Sequence, residues 1–239
     1  MNDLKLSVVI PVYDERQTIA EIVRRVQRVE ISKEIIIVDD GSTDGTREAL
    51  EEIRKANSNV QVILLPRNMG KGKAVRTAVA AARGQYVLVQ DADLEYDPQD
   101  YFKLLAPLER GQADAVYGSR FITSQEHRVL YFWHSMGNKL LTLLSNMATD
   151  LNLSDMETCY KVFRRELIQS IELQEDRFGF EPEITCKLSR ARARMYEVGI
   201  AYHGRTYEEG KKIGFRDGLR ALWCILKYRF QPLRRIKTQ

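Results

Sequence analysis

The fold is best inferred from one stretch, Tyr86-Val87-Leu88-Val89-Gln90-Asp91-Ala92-Asp93-Leu94-Glu95, in which an apolar run leads into alternating acids. Side chains two apart on an extended chain share a face, so a strand that ends this way directs its carboxylates to one point beyond the sheet edge. Such oxygens suit Mg²⁺ or Mn²⁺, which bind through one or two carboxylates together with substrate phosphates. For an isolated Asp-x-Asp the alternative is a solvated loop, so the interpretation depends on the surrounding sequence.

Outward from this stretch, short β-branched runs alternate with helical patterns over the first 120 residues. Strands are predicted at 6–12, 34–39, 60–65, 85–90 and 113–118, and helices near 18–29, 45–56, 72–82 and 99–109. This alternation is typical of βαβ units, in which helices cover both sides of a parallel sheet. No repeat and no Gly/Ser linker interrupts the chain, so we expect an α/β catalytic domain over residues 1–212 and an extension over 213–239.

The residues that end the predicted strands share a chemistry. Ligands of open parallel sheets bind beyond the carboxyl ends of the strands. Those ends carry acids, glycines and a lysine, in the segments 11–15, 39–42, 67–72 and 91–95. A nucleotide with a metal-bound diphosphate would need these groups, and a chance gathering of loop residues is the alternative. The glycines match neither the dinucleotide fingerprint nor a Walker loop, which disfavours redox cofactors and ATP hydrolysis.

Composition limits the cellular setting. The 239 residues are 44% hydrophobic and 29% charged, as in ordinary soluble globular proteins. Three cysteines without metal-type spacing predict neither a disulfide framework nor a zinc site, and they fit a reducing compartment. No secretory signal precedes the first strand and no run of about 18 apolar residues occurs, so we expect a cytoplasmic protein without a transmembrane segment.

Several motifs together resemble the inverting glycosyltransferases of family 2, which have the GT-A fold. They are Val9-Ile10-Pro11-Val12-Tyr13-Asp14-Glu15, Val38-Asp39-Asp40-Gly41-Ser42-Thr43-Asp44-Gly45-Thr46 and Gln90-Asp91-Ala92-Asp93. Further segments are similar to the polyprenyl-phosphate branch, which includes dolichyl-phosphate mannose and glucose synthases. These are Gly118-Ser119-Arg120, Asp155-Met156-Glu157-Thr158-Cys159-Tyr160-Lys161 and Arg205-Thr206-Tyr207-Glu208-Glu209-Gly210-Lys211-Lys212. The resemblance implies a GT-A fold with a mostly parallel central sheet flanked by helices.

The resemblance also implies an activity and a donor site. The expected reaction transfers one sugar, with inversion, from a GDP-mannose, UDP-glucose or UDP-N-acetylglucosamine type of donor to a polyprenyl phosphate. The expected nucleotide-sugar site comprises Pro11, Tyr13, Glu15, Asp39, Asp40, Lys71, Gln90, Asp91 and Asp93. The expected ligands of Mg²⁺ or Mn²⁺ are Asp91, Asp93 and Glu95. The ion would neutralise charge that builds on the departing nucleoside diphosphate.

The acceptor determines which side chains should surround the reacting carbon. A hydroxyl acceptor, on a soluble molecule or a polysaccharide, requires a general base, for which a carboxylate is the first candidate. A polyprenyl monophosphate is already ionised and instead requires cations, for which arginine offers a planar fork and lysine a compact charge. The candidates for binding the acceptor phosphate are Arg120, Arg205, Lys211 and Lys212. The expected catalytic residues are Asp93, Arg205 and Asp155, with Asp155 orienting a sugar hydroxyl or a cationic partner. A structural role for Asp155 in tying down its loop is the alternative.

The C-terminal segment has the pattern of a membrane-surface helix. Residues 211–239 contain nine Lys or Arg and one acid, Asp217, so their net charge is +8. Between 216 and 230 an apolar stripe at helical spacing is flanked by basic residues, with Trp223 at its boundary. Such a helix lies in the headgroup plane of an anionic membrane, which predicts a peripheral protein on the cytoplasmic face. A helix packed in the core is the alternative.

A second apolar segment, near 129–150, supplies more apolar surface than one short helix would normally expose, so it is a second candidate for a membrane-facing helix. The apolar surface of the two segments might instead be covered by a homodimer or by a separate membrane subunit, and the sequence leaves these open. A non-enzymatic module that binds membranes or nucleic acid through the basic tail is a further alternative. The ordered acids at the strand ends argue against nucleic acid as the partner.

Overall fold

The computed structural model describes residues 4–122, 128–129, 131–205 and 215–232. Its strands are β1 (Leu6–Val12), β2 (Lys33–Asp39), β3 (Val60–Leu64), β4 (Tyr86–Val89), β5 (Ala115–Ser119), β6 (Lys161–Arg164) and β7 (Met195–Gly199). Its helices are α1 (Ile19–Arg28), α2 (Thr46–Ala56), α3 (Lys71–Ala81), α4 (Tyr101–Glu109), α5 (Phe132–Thr149), α6 (Arg165–Ser170), α7 (Phe180–Arg190) and α8 (Phe215–Phe230). The first five strands and four helices confirm the predicted βαβ alternation.

The strands form one sheet in the order β3-β2-β1-β4-β6-β5-β7. All neighbouring pairs are parallel except those of β6, which runs antiparallel to β4 and β5. The sequence pattern does not predict β6 or β7. The first has four residues with a charge at each end, and the second is only half-buried along most of its length. Neither resembles the apolar runs of the other strands.

The inner strands are unbroken apolar runs because both of their faces are covered. Val8, Val9 and Ile10 of β1 are completely buried, as are Ile36 and Ile37 of β2. Helix α3 packs on these two strands, and α4 packs on β5. Burial of this kind is the main source of folding free energy, so the sheet forms a fixed base for the loops at its carboxyl edge.

A buried aspartate joins the loops at the carboxyl ends of β1, β2 and β3. The backbone N–H of Asp40 donates to the carbonyl oxygen of Val12 at 2.8 Å. The Asp40 carboxylate accepts hydrogen bonds from the backbone N–H groups of Met69 and Gly70, at 2.7 Å each. Gly70 has a φ of 102°, and a Cβ there would meet the carbonyl oxygen of Asp176 at 2.3 Å, so glycine is required. Helix α3 therefore starts at the same sheet edge.

The C-terminal helix α8 packs against α5 and α7 rather than on the sheet, and it confirms the helix predicted at 216–230. One face is buried, whereas another exposes the large apolar side chains of Leu219, Trp223, Leu226 and Phe230. Within the described ranges, no helix is long and apolar enough to cross a membrane. The predicted boundary between residues 212 and 213 lies outside the described residues and stays a prediction.

Candidate active site

A cavity of about 450 Å³ opens at the carboxyl edge of the sheet. Of the residues predicted from the sequence, those that line it are Pro11, Tyr13, Glu15, Asp40, Lys71, Asp91, Asp93, Glu95, Arg120 and Arg205. Its volume lies within the usual range for small-molecule sites, about 300–1,000 Å³. The structure thus brings seven of the nine predicted donor residues and two of the predicted acceptor cations to one cavity.

The acidic cluster after β4 forms a sharply turned loop. Leu94 has a φ of 64°, a left-handed conformation that is costly for a residue with a side chain. This turn lets the Asp93 carboxylate accept a hydrogen bond from the backbone N–H of Glu95 at 3.2 Å. Burial, together with the charges of Asp91 and Glu95, raises the pKa of Asp93 to about 7, against the opposing effect of Arg205. The loop therefore concentrates negative charge at one wall of the cavity.

Two cations from distant parts of the chain pair with these acids. Lys71, at the start of α3, places its Nζ 3.1 Å from Asp91 Oδ1. A guanidinium nitrogen of Arg205 lies 3.4 Å from Asp93 Oδ2 and 3.1 Å from Glu15 Oε1. Asp91 thus pairs with Lys71, and Asp93 pairs with Arg205. Both cations also line the cavity.

The carboxylates of Asp91 and Asp93 fit the coordination of a divalent cation. Asp91 and Asp93 face the cavity with partly exposed side chains, and oxygen ligands of this kind suit Mg²⁺ or Mn²⁺ when substrate phosphates complete the coordination. The Glu95 carboxylate instead accepts hydrogen bonds from the hydroxyl of Tyr202 (2.8 Å) and the backbone N–H of Arg205 (2.6 Å). In the described part of the chain, no group of three or more acidic, histidine or cysteine side chains is placed to hold a metal.

Two predicted donor residues lie behind the cavity wall. Asp39 is fully buried, and its carboxylate accepts hydrogen bonds from the backbone of Gly41 and from Arg47, the latter at 2.7 Å. Gln90 is also fully buried, and its side-chain oxygen accepts from the hydroxyls of Tyr101 and Tyr160, at 2.7 Å each. In this structure both side chains hold strand ends in place rather than line the cavity.

Two of the predicted catalytic and acceptor residues form a buried ion pair. The Arg120 guanidinium donates two hydrogen bonds of 2.7 Å to the Asp155 carboxylate, which is completely buried and also accepts from the Arg120 backbone N–H. Of the roles expected for Asp155, the structure contains the pairing with a cation. The guanidinium lies 5.2 Å from the ring centre of Tyr202. Lys211 and Lys212 lie outside the described residues.

Several cavity residues escape sequence reasoning. They include Tyr96, Arg177, Phe178, Glu181 and Tyr202, whereas Asn68, Glu157 and Cys159 lie in the segments 67–72 and 155–161 that the sequence motifs already indicate. Glu181 lies in the first turn of α7, next to a proline that suits a helix start, and that signal could have indicated a helix N-terminus. Nothing in the sequence shows that this turn faces β4, because a long stretch of chain separates the two elements.

A match between this sequence and a protein-family model identifies the family. The sequence model of Glycosyl transferase family 2 matches residues 7–172, more than half of the chain. The chain belongs to this family. A family 2 glycosyltransferase is what the motifs at the strand ends predict, and the match confirms that prediction.

Two curated relatives of this family 2 glycosyltransferase are informative. The dodecaprenyl-phosphate galacturonate synthase of Rhizobium johnstonii is 27% identical over 235 residues, which are 96% of this chain and 68% of that protein. The undecaprenyl-phosphate 4-deoxy-4-formamido-L-arabinose transferase of Proteus mirabilis is 30% identical over 212 residues, 87% of this chain and 62% of that protein. The chain therefore spans roughly two thirds of the length of these relatives. Both are named for a polyprenyl phosphate and a sugar.

Solved structures support the fold. The glucosyl-3-phosphoglycerate synthase of Mycobacterium tuberculosis, crystallised with Mn²⁺, UDP and glucosyl-3-phosphoglycerate, superposes with a TM-score of 0.72. The match covers 95% of this chain and 81% of that one at 22% identity. The same synthase crystallised with UDP alone gives a TM-score of 0.73. Together with the family match, these similarities confirm the GT-A fold for this family 2 glycosyltransferase.

Proposed function

We propose that this glycosyltransferase moves one sugar from a nucleotide sugar to a polyprenyl phosphate, with a divalent metal and with inversion at the anomeric carbon. The observation that carries the proposal is that Asp91, Asp93, Arg120 and Arg205 all line one cavity, with Arg205 3.4 Å from Asp93. Donor types such as GDP-mannose, UDP-glucose and UDP-N-acetylglucosamine are compatible with it. The relatives named for polyprenyl phosphates favour a lipid phosphate as the acceptor.

On the donor side, Asp91 and Asp93 would hold Mg²⁺ or Mn²⁺, which neutralises charge on the departing diphosphate. Lys71 lies between Asp91 and Glu181 in the absence of substrate, at 3.1 and 3.2 Å. A diphosphate near Asp91 would give this lysine a stronger anionic partner. Pro11 and Tyr13 at the mouth of the cavity are placed to contact the nucleoside.

On the acceptor side, two arginines differ in how firmly they are held. Asp155 fixes the guanidinium of Arg120 from behind, so this cation is oriented before any ligand enters. Arg205 is shared between Glu15 and Asp93, and Asp93 would also hold the metal, so this arginine is less firmly fixed than Arg120. Arg205 would then bind the lipid phosphate, which attacks the anomeric carbon in line from the face opposite the diphosphate and inverts it. An anionic nucleophile needs no general base.

The membrane side is formed by α5 and α8, which pack against each other. Large apolar side chains on α5 are exposed, namely Phe132, Trp133, Met136, Leu140, Leu143 and Met147. They add to the exposed apolar face of α8. A surface of this size is more than isolated apolar residues on a soluble protein would give. It supports peripheral binding to a membrane, which we place on the cytoplasmic face.

A second candidate function is transfer to a hydroxyl acceptor. One observation favours it: Glu157 and Glu181 line the same cavity, and a hydroxyl acceptor requires such a carboxylate as a base. The phosphate acceptor remains the better supported, because the cavity also carries Arg120 and Arg205.

A product assay tests the proposal. The protein is incubated with a panel of nucleotide sugars, a short polyprenyl phosphate and Mg²⁺ or Mn²⁺, and the products are identified by mass. One donor should give a monoglycosylated polyprenyl phosphate, and Asp93→Asn should abolish it. Asp150→Asn removes a carboxylate at an exposed helix end with a left-handed backbone that asparagine tolerates, so it should retain activity. Transfer that survives a chelator, or that occurs only to hydroxyl acceptors, would contradict the proposal.

A further inference from the structure

Two carboxyl groups in the cavity have buried oxygens that nothing in the donor and acceptor scheme uses. Glu157 Oε1 and Glu181 Oε2 are buried and have no hydrogen-bond partner among the residues that the structure describes. Both residues line the cavity, and Glu181 is only 4% exposed. An unpaired buried carboxylate oxygen is costly, commonly by more than 1 kcal/mol. Such oxygens therefore indicate a site that a polar ligand completes.

The position of Glu181 shows which part of a ligand would reach it. Lys71 Nζ lies 3.2 Å from Glu181 Oε1 and 3.1 Å from Asp91 Oδ1, so one lysine bridges the two carboxylates. Glu181 is therefore next to the acid proposed to face the metal-bound diphosphate. In a nucleotide sugar, the group attached to the terminal phosphate is the sugar. The sugar would therefore lie beside Glu181, in the cavity that Glu157 also lines.

The charges around the two carboxyls favour an uncharged ligand. Burial, followed by the charge of Glu181, raises the pKa of Glu157 to about 8, although Lys161 and Arg120 oppose this. Lys161 does not neutralise the pair directly, because its Nζ donates to the backbone carbonyl oxygens of Met156 and Thr158. A carboxylic acid beside a carboxylate can both donate and accept, which matches neutral hydroxyl groups.

We propose that Glu157 and Glu181 bind hydroxyl groups of the donor sugar and select a neutral sugar over a uronic acid. This inference rests on the proposed function, since it requires a nucleotide sugar in the cavity. A carboxylate on the sugar would add a negative charge beside Glu157, Glu181 and Asp91. The cation that lies between the last two, Lys71, is already shared by them. The expected sugar class therefore differs from that of the relative named for galacturonate.

Binding measurements separate the sugar from the nucleotide. Calorimetry with Mn²⁺ first compares UDP with GDP, and the nucleotide that binds selects the ligands: UDP-glucose and UDP-glucuronate, or GDP-mannose and GDP-mannuronate. The wild-type protein should bind the neutral sugar nucleotide at least tenfold more tightly than the uronate. Glu157→Ala, which removes both carboxyl oxygens, should weaken binding of the neutral sugar nucleotide about tenfold and change the affinity for the free nucleotide less than twofold.

Two further variants complete the test. Glu181→Gln should also weaken binding of the sugar nucleotide more than binding of the free nucleotide. The difference between the two affinities should be smaller, because Lys71 loses a partner and nucleotide binding changes as well. Glu166→Gln, on the exposed side of α6, removes the same charge away from the cavity and should bind all ligands as the wild type does. Thermal unfolding verifies that each variant is folded.

Each contrary outcome refutes a different statement. If neither UDP nor GDP binds, the proposed function fails and the inference falls with it. If the nucleotide binds but Glu157→Ala leaves the ratio of sugar-nucleotide to nucleotide affinity unchanged, the inference alone is wrong. Unchanged binding with a lowered kcat would make Glu157 a general base. A preference of the wild type for the uronate would refute the selection of neutral sugars.

Discussion

One buried carboxylate, that of Glu175, connects α8 to the segment that precedes α7. Glu175 is 3% exposed and accepts hydrogen bonds from Arg220 (2.6 Å), Lys227 (2.9 Å) and the hydroxyl of Tyr228 (2.7 Å), all on α8. Burial alone would raise the pKa of Glu175, but the hydrogen bonds from Lys227, Arg220 and Tyr228 outweigh it and lower the pKa to about 2. We predict that Glu175→Gln loosens α8.

The size of the effect follows from the change in pKa. A fall from 4.5 to about 2 corresponds to about 3 kcal/mol of stabilisation of the charged form. The side chains of Arg220 and Lys227 are 51% and 32% exposed, so solvent screening reduces this to about 2 kcal/mol. That free energy corresponds to roughly a thirtyfold increase in the opening of α8.

Hydrogen exchange measures this opening directly. Backbone amides of α8 should lose about thirtyfold of their protection in Glu175→Gln at pH 7, whereas those of β1 and β2 should keep theirs. Because the pKa is lower in the folded protein, the stabilisation is complete above about pH 5 and is lost as the pH falls through 4.5 towards 2. The difference in thermal stability between wild type and variant should therefore shrink at pH 3.

A charge-matched control excludes a general effect of lost charge. Glu166→Gln lies on the exposed side of α6 and should leave the exchange of α8 unchanged. Equal protection of α8 in wild type and Glu175→Gln at pH 7 would refute the reasoning. So would a stability difference that does not vary between pH 7 and pH 3.

Further predictions concern the cavity and the proposed membrane-binding surface of α5 and α8. Asp155→Ala leaves Arg120 buried without its carboxylate and should lower the free energy of unfolding by about 3–5 kcal/mol in a denaturant titration. Asp91→Asn should abolish Mn²⁺-dependent binding of the nucleotide while the unfolding temperature stays within about 2 °C of wild type. Arg205→Ala should raise KM for the lipid phosphate far more than KM for the nucleotide sugar, and an equal rise would assign Arg205 to the donor. Trp223→Glu should weaken sedimentation with anionic vesicles at least tenfold, and unchanged binding would exclude this face of α8.

The parts of the fold that the sequence predicts are those in which burial and periodicity agree. Strands β1 to β4 are covered on both faces or lie beside such strands, so they read as apolar runs. β6 escapes because its first residue, Lys161, is a completely buried lysine. The Lys161 ammonium donates to the backbone carbonyl oxygens of Met156 and Thr158. No local sequence pattern predicts these hydrogen bonds. Tertiary contacts alone make this segment a strand.

The residues of the predicted site also divide into those that the sequence predicts and those that it does not. Asp91, Asp93 and Lys71 meet because residues at the carboxyl ends of parallel strands share one edge, which is a rule of topology that can be applied to a sequence. Asp39 and Gln90 obey the same rule, yet their side chains point behind the wall, because the rule fixes the position of a residue and not the direction of its side chain. Glu181 lies on a helix that no strand-end rule covers.

The segment between α6 and α7 contacts both the cavity and α8. Glu175 holds α8, and its carbonyl oxygen would lie 2.3 Å from a Cβ added at Gly72, so the segment is pressed against the start of α3. Arg177 and Phe178, which follow at once, line the cavity. The backbone that anchors the apolar surface of α8 thus also forms a wall of the site, with Lys71 at the adjacent helix end. A lipid phosphate bound near Arg205 and a donor held near Lys71 would therefore meet on a frame to which the proposed membrane helix is directly attached.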